Sequence, residues 1–277
     1  MSPRSPLLLL LAAAALATPA LADRLIVAGP DGFLHQADTT TGVFEPFAGP
    51  CVSPLIRMAA DDQHLYGIDA FGGLYMFDLA SGAMVNVLFP ELGTLNSLAA
   101  GPEGVFLGTA EGLVARIDPL TGEVSDKRMP PDGVRVLLLH GGLLYAASTN
   151  GALYRAPAGA GEFEYFTCFC FFNIGMLAVD GGQLVLADEF GTVVRFELES
   201  GTPVTGFSLF GAQVAGVSDG VLLLYYDGGV IPLASAFTGE LLPGQLQAPA
   251  TVVSLLVLET REGPRTRTRA RGTLTPP

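Results

Sequence analysis

The sequence predicts an all-β fold, a six-bladed β-propeller of four-stranded antiparallel blades, on three observations. The chain of 277 residues is 49% hydrophobic and only 15% charged, with 35 Gly and 20 Pro. That composition suits short apolar strands joined by tight turns and is far from a disordered chain. Two glycines ten residues apart then recur through the chain: Gly32 and Gly42, Gly72 and Gly82, Gly112 and Gly122, Gly151 and Gly161, Gly191 and Gly201, Gly229 and Gly239. Finally, the segments around these pairs are strand-sized and apolar. A period of about 40 residues made of such pieces is the signature of propeller blades.

One unit shows the logic. The stretch "GTAEGLVARIDPLTGEV" (108–124) lies between two strand-forming runs. An apolar strand precedes the first glycine in each copy, as in "LYGID", "VFLGT", "LYAAS" and "LVLAD". The glycine serves a hairpin that needs positive φ, with Asp31, Glu111, Asn150, Glu189 or Asp227 nearby as turn formers. A second strand follows, as in "LYMFD", "VARID" and "VVRFE". Asp38, Asp78 and Asp118 close it where an Asx side chain can bond the turn backbone, and the second glycine suits the left-handed place of a G1 bulge. A weaker outer strand ("EVSDKRM") and a preceding inner one ("SLAAG", "VLLLH", "MLAVD") complete a four-stranded blade. The first copy lacks its inner strand, and "TVVSLLVLE" (251–259) follows the last copy without partners. Pairing 251–259 with 24–47 closes the ring and removes two sheet edges that would otherwise invite aggregation.

The ends read differently from the body. Residues 1–22 have Arg4 as a basic start, an apolar run from Leu7 to Leu16, and Ala20-Leu21-Ala22 before Asp23. This is the pattern of a cleaved secretory signal peptide, and the run is short of the roughly 20 residues of a spanning helix. Residues 23–259 form the propeller domain, and no later segment is long enough to span a membrane. Residues 260–277 form a tail rich in arginine, at Arg261, Arg265, Arg267, Arg269 and Arg271, expected to be disordered. The formal net charge is −13, and a body this acidic repels phosphate backbones, which argues against nucleic acid as a partner.

The phrases "GLVARIDPLTGEV" and "GGLYMFDLASGAMV" resemble the repeat of quinoprotein-like (PQQ-like repeat) β-propellers, roughly Gly-x-Leu-Tyr-Ala-Leu-Asp-x-x-Thr-Gly. The resemblance covers residues 24–259 and implies a propeller. Quinone-dependent members dock neighbouring blades through a Trp in each repeat, and this chain has no Trp. The resemblance therefore does not carry pyrroloquinoline quinone over as a cofactor.

Three groups of residues are candidates for chemistry near the channel mouth. Cys51, Cys168 and Cys170 fall in stretches expected to lead into innermost strands. Cys51 and Cys170 occupy comparable positions three blades apart, facing each other across a six-membered ring. A Cys51–Cys170 or Cys51–Cys168 disulfide follows if the loops converge; otherwise the thiols are apolar fillers. Arg116, Arg155 and Arg195 form a column in the third, fourth and fifth blades. Each would reach a carboxylate on an adjacent strand or blade, or the three would bind an anionic ligand. Asp69, Thr109, Ser148 and Asp188 end equivalent strands, where they would cap turns; Asp69 and Asp188, opposite each other, could with carbonyls hold a calcium ion. His35, His64 and His140 share no position in the repeat, so no metal-ligand spacing emerges. The segment "CFCFFN" adds Phe169, Phe171 and Phe172 as an exposed apolar patch. The reading is an exported, secreted or periplasmic, monomeric binding or scaffold module for a protein, peptide or glycan. The alternative is a six-bladed hydrolase or lyase using channel-mouth polar groups, with calcium as its helper.

Overall fold

The computed structural model describes residues 24–37, 42–168, 174–209, 213–218, 221–225, 230–235, 239–248 and 254–258. Residues 1–23, with the expected signal peptide, the Arg-rich residues 259–277 and residues 169–173 lie outside the described residues. The described chain is all β. Blade 1 holds β1 (Arg24–Ala28), β2 (Leu34–Ala37) and β3 (Phe44–Ala48). Blade 2 is β4 (Leu55–Ala60), β5 (His64–Asp69), β6 (Leu74–Asp78) and β7 (Met84–Leu88). Blade 3 is β8 (Leu95–Gly101), β9 (Gly104–Thr109), β10 (Val114–Ile117) and β11 (Val124–Arg128). Blade 4 is β12 (Val136–His140), β13 (Leu143–Ala147), β14 (Ala152–Pro157) and β15 (Glu164–Cys168). Blade 5 is β16 (Ile174–Asp180), β17 (Gln183–Asp188), β18 (Thr192–Glu197) and β19 (Pro203–Ser208). Blade 6 is β20 (Gln213–Ser218), β21 (Val221–Tyr225), β22 (Val230–Ser235) and β23 (Leu241–Gln247).

The last strand, β24 (Ser254–Leu258), supplies the inner strand of blade 1 in the order β24-β1-β2-β3. It pairs antiparallel with β1, Leu256 opposite Ile26 and Leu258 opposite Arg24, which is the closure expected from the orphan segment at 251–259. The innermost strands β4, β8, β12, β16, β20 and β24 each touch the next, and β24 touches β4, so the ring is complete. The fold is a six-bladed β-propeller.

Its core is divided into six. Each buried cluster lies between two neighbouring blades: Ile26 and Leu34 with Leu65 and Tyr75, Ile68 and Leu74 with Leu95 and Leu107, and so on round to Val221 and Ile231 with Leu25 and Val27. A middle strand is therefore covered on both faces. This explains why β5, β9, β13, β17 and β21 read as continuous apolar runs and not as alternating ones, a pattern otherwise familiar from buried parallel strands.

The paired glycines do two jobs. Those described have positive φ, as at Gly72 (85°), Gly82 (72°), Gly112 (92°) and Gly122 (80°). In the second turn the Gly122 amide donates to the Asp118 carbonyl (2.8 Å) and the Asp118 amide to the Glu123 carbonyl (2.9 Å). The Asp118 carboxylate accepts the Leu120 amide (2.8 Å), and Asp78 accepts the Ser81 amide in the same way (2.8 Å). Asp38 lies outside the described residues. In four blades the second glycine also presses on the outer strand of the preceding blade: Gly82 on the Phe47 carbonyl, Gly201 on Phe166, Gly239 on Phe207, and Gly42, across the seam, on Leu246; Gly161 instead faces Pro157 of its own blade. A side chain at those four would push two blades apart.

Polar staples add to this docking. Asn86 of β7 donates to the Pro119 and Leu120 carbonyls of blade 3 (both 3.0 Å). Arg128 of β11 reaches the Pro157 (2.6 Å) and Ala158 (2.9 Å) carbonyls of blade 4, and Thr167 of β15 reaches the Gly201 carbonyl of blade 5 (3.0 Å). Outer-strand side chains thus bond the turn of the next blade.

Candidate functional site

A channel of about 1050 Å³ runs along the axis between the innermost strands. Its wall follows from register. Met58, Leu98, Leu137, Leu177 and Leu255 stand at the same step of their strands, opposite Gly67, Leu107, Ala146, Leu186 and Val27, and in blade 6 Val217, opposite Leu222, lies two steps nearer the hairpin. All six line the channel, one from each blade, as an apolar girdle. Beyond the girdle the lining passes Ala60 and Ala100 to a polar rim at Asp61, Asp62 and Glu103, in the hairpins leaving the innermost strands, and at His140, the last residue of β12. Asp61 shapes its own hairpin, accepting the Gln63 (2.8 Å) and His64 (2.7 Å) amides and the Tyr66 hydroxyl (2.8 Å).

On the other side of the girdle stands Arg57. Pairing in β4 jumps from Leu55 opposite Asp69 to Arg57 opposite Ile68, and this bulge re-aims the strand toward the axis. Arg57 lines the channel and is half-buried. Its Nη1 donates to the Ile56 carbonyl of its own strand (2.8 Å), while its Nε is buried with no hydrogen-bond partner among the described residues. Burial first, and then the charge of Arg135, lower its pKa. Arg135 precedes β12 at the step that Asn96 takes in β8. Asn96 donates to the Val134 carbonyl (2.8 Å), and Arg135 to the Ile174 carbonyl (3.0 Å) and to Glu189 (3.2 Å), so each clasps the next blade.

The candidate polar column is engaged in its hairpins. Asp69 is buried and accepts the Phe71 (2.9 Å) and Gly73 (2.8 Å) amides and the Tyr75 hydroxyl (2.9 Å). Asp188 accepts the Phe190 (2.9 Å) and Thr192 (2.7 Å) amides. Thr109 accepts the Leu113 amide (3.2 Å), and Ser148 donates to the Ala152 carbonyl (2.8 Å). Among the described residues no group of three His, Cys, Asp or Glu is placed to hold a metal ion.

The arginine column does not form one patch. Arg195 is buried (1% exposed), paired with Asp180 (3.0 Å) and bonded to Gln183 (2.7 Å). Arg155 lies 4.4 Å over the Phe166 ring and donates to the Glu199 carbonyl of the next blade (3.1 Å). Arg116 packs by Gly104, opposite Asp126 in the neighbouring strand.

The expected bridge between Cys51 and Cys168 is not made. Cys51 packs between blades 1 and 2, its amide held by the Gly32 carbonyl (2.9 Å), and burial followed by the Asp69 charge pushes its thiol up to about 11. Cys168 ends β15, the outermost strand of blade 4, opposite Ala152. A residue on the perimeter cannot meet one wedged between two other blades. Cys170, Phe169, Phe171 and Phe172 lie outside the described residues.

Sequence reasoning missed Arg57 and Arg135. The signal available was their place early in the inner strand, in "LIRMAA" and "VRVLLLH", but nothing in one sequence marks the bulge that turns Arg57 inward.

The fold and the channel define a six-bladed β-propeller with an apolar girdle about its axis. No protein-family model matches the chain, and no curated protein matches it. Among solved structures 1640 chains match, so the architecture is common and carries little information about activity. One is the crystal structure of the computationally designed Ika8 protein, 15% identical, with a TM-score of 0.53 over 82% of this chain and 68% of that one. At that identity the likeness shows the fold alone. Among the described residues no helix is long and apolar enough to cross a membrane.

Proposed function

We propose that the protein is an exported propeller of the PQQ-like repeat type, secreted or periplasmic and monomeric. It acts as a binding or scaffold module that takes a protein, peptide or glycan at the mouth of its channel. The observation that carries this reading is the channel itself: about 1050 Å³, walled by one apolar side chain per blade and rimmed by Asp61, Asp62, Glu103 and His140. A concave apolar cavity with a few polar groups at its margin is the ordinary form of a ligand site. The alternative, a hydrolase or lyase with calcium, draws its polar groups from the column Asp69, Thr109, Ser148 and Asp188. The hydrogen bonds of those residues to their own hairpins favour binding over that alternative.

Export is tested by recovering the secreted protein and sequencing its N-terminus, which is expected at Asp23. Binding is tested by panning displayed peptide and protein libraries and a glycan array against the immobilised protein and against Gly175→Trp. Gly175 lines the channel, and a Cβ there meets nothing closer than 4.0 Å, so the indole plugs the channel without a backbone clash. Ligands retained by the wild type and lost by G175W support the reading. A wild type that retains nothing more than G175W overturns it.

A further inference from the structure

Arg57 differs from the other described arginines in having a buried guanidinium nitrogen, Nε, with no hydrogen-bond partner among the described residues. Arg195 has Asp180 at 3.0 Å, Arg128 has Asp126 at 2.7 Å and Arg135 has Glu189 at 3.2 Å. Arg57, like Arg24, Arg116 and Arg155, has no carboxylate within ion-pair distance among the described residues, in a chain that carries 27 acidic residues against 14 basic ones. A guanidinium offers five donors in a planar fork. Here one donor reaches a carbonyl of its own strand, and Nε, buried, reaches no partner among the described residues. Buried polar groups without partners are few in native proteins, and each calls for a reason. The positive Arg135 nearby makes matters worse for Arg57 alone and better for an anion beside it.

We propose that the channel binds an amphipathic carboxylate of the fatty-acid class, its headgroup on the Arg57 guanidinium and its alkyl chain passing through the girdle of Met58, Leu98, Leu137, Leu177, Val217 and Leu255. A carboxylate matches the guanidinium fork in two parallel hydrogen bonds and supplies the missing partner of Nε. The apolar wall supplies the rest, and about 1050 Å³ lies at the upper end of the usual range for ligand pockets. The acidic rim at Asp61, Asp62 and Glu103 sets the direction. It repels a carboxylate at that end of the channel, so the headgroup sits at the Arg57 end and the tail tip faces the rim.

This inference rests on reading the propeller as a binding module and names the ligand class of the same channel. The test is titration calorimetry of the exported full-length protein with sodium decanoate and with decanol, which has the same chain and no charge. Decanoate is expected to bind roughly tenfold or more tightly than decanol. Arg57→Gln is expected to abolish that preference while leaving decanol unchanged, and G175W to block both. Decanoate binding no tighter than decanol, or unaffected by R57Q, overturns the inference. Should R57Q not fold, the decanoate and decanol comparison on the wild type decides alone. If decanoate fails while the displayed libraries still enrich on the wild type, this inference falls and the binding reading stands.

Discussion

Replacing Gly82 by Ala separates the two duties assigned to the repeat glycines, provided it is compared with Gly182→Ala. Both glycines have nearly the same backbone conformation, φ 72° at Gly82 and 78° at Gly182. Each substitution therefore meets the same left-handed penalty, about 1–2 kcal/mol, offset in part by about 0.4–1 kcal/mol from a stiffer unfolded chain. The surroundings differ. A Cβ at Gly182 has nothing within 4 Å, whereas one at Gly82 collides with the Phe47 carbonyl oxygen and lies 2.9 Å from its carbon. That neighbour is backbone of blade 1, so relief requires moving one blade against another, an overpacking cost of about 1–3 kcal/mol. We expect losses of about 1 kcal/mol for G182A and about 2–4 kcal/mol for G82A. With a urea m-value of about 3 kcal/mol per molar, the midpoints fall by roughly 0.3 M and 1 M. Far-UV circular dichroism and tyrosine fluorescence follow the transition, since the chain has 7 Tyr and no Trp. Equal midpoint shifts would refute the claim that Gly82 docks two blades as well as turning a hairpin.

Other outcomes follow from the same structure. Arg195→Met leaves Asp180 buried beside an apolar side chain and should cost about 3–5 kcal/mol in the same urea assay; adding Asp180→Asn should recover part of it, and a loss under 1 kcal/mol would contradict the buried pair. In alkali, burial holds the Cys51 thiol near 11 and the Tyr75 hydroxyl near 12, above their ordinary 9.0 and 10.0. The unfolded chain releases these protons first, so stability is full below pH 9 and should fall as pH rises through 11 and 12. Cys51 should accordingly resist iodoacetamide at pH 8, and rapid alkylation of the native protein would count against its burial. Deleting 254–277 removes β24 and exposes the β1 edge, and should abolish the cooperative melt. Deleting 261–277 should leave the melt unchanged, and identical melts for both truncations would break the closure argument.

The blade count and the closure were legible because both rest on local chemistry. A tight hairpin needs a residue that tolerates positive φ, so the glycine pair seen at Gly112 and Gly122 recurs in every repeat, and in the first three an Asx side chain (Asp38, Asp78, Asp118) before the second turn adds to the signal. Strands buried on both faces must be apolar throughout, which marked "VFLGT" and "LYAAS". "TVVSLLVLE" could be assigned because an apolar strand without partners in its own repeat fits only the gap in the first blade. Cys168 was misplaced by a small error of the same local kind: β15 runs one residue further than a loop reading allowed, which keeps Cys168 on the outer strand.

What faces the axis was decided by the tertiary structure. Arg57 and Arg195 are both arginines within apolar strands, yet a one-residue bulge sends Arg57 to the channel while register brings Arg195 to Asp180. The staples by which Asn86, Arg128 and Thr167 hold the next blade join residues about 30 positions apart through backbone carbonyls, which every residue possesses and no sequence pattern singles out. Alone, the chain of amino acids determined the turns, the strands and how many times they repeat, since those depend on neighbours along the backbone. Which side chains meet across blades or around the axis depends on ring geometry, and that exists only once six sheets have closed on one another.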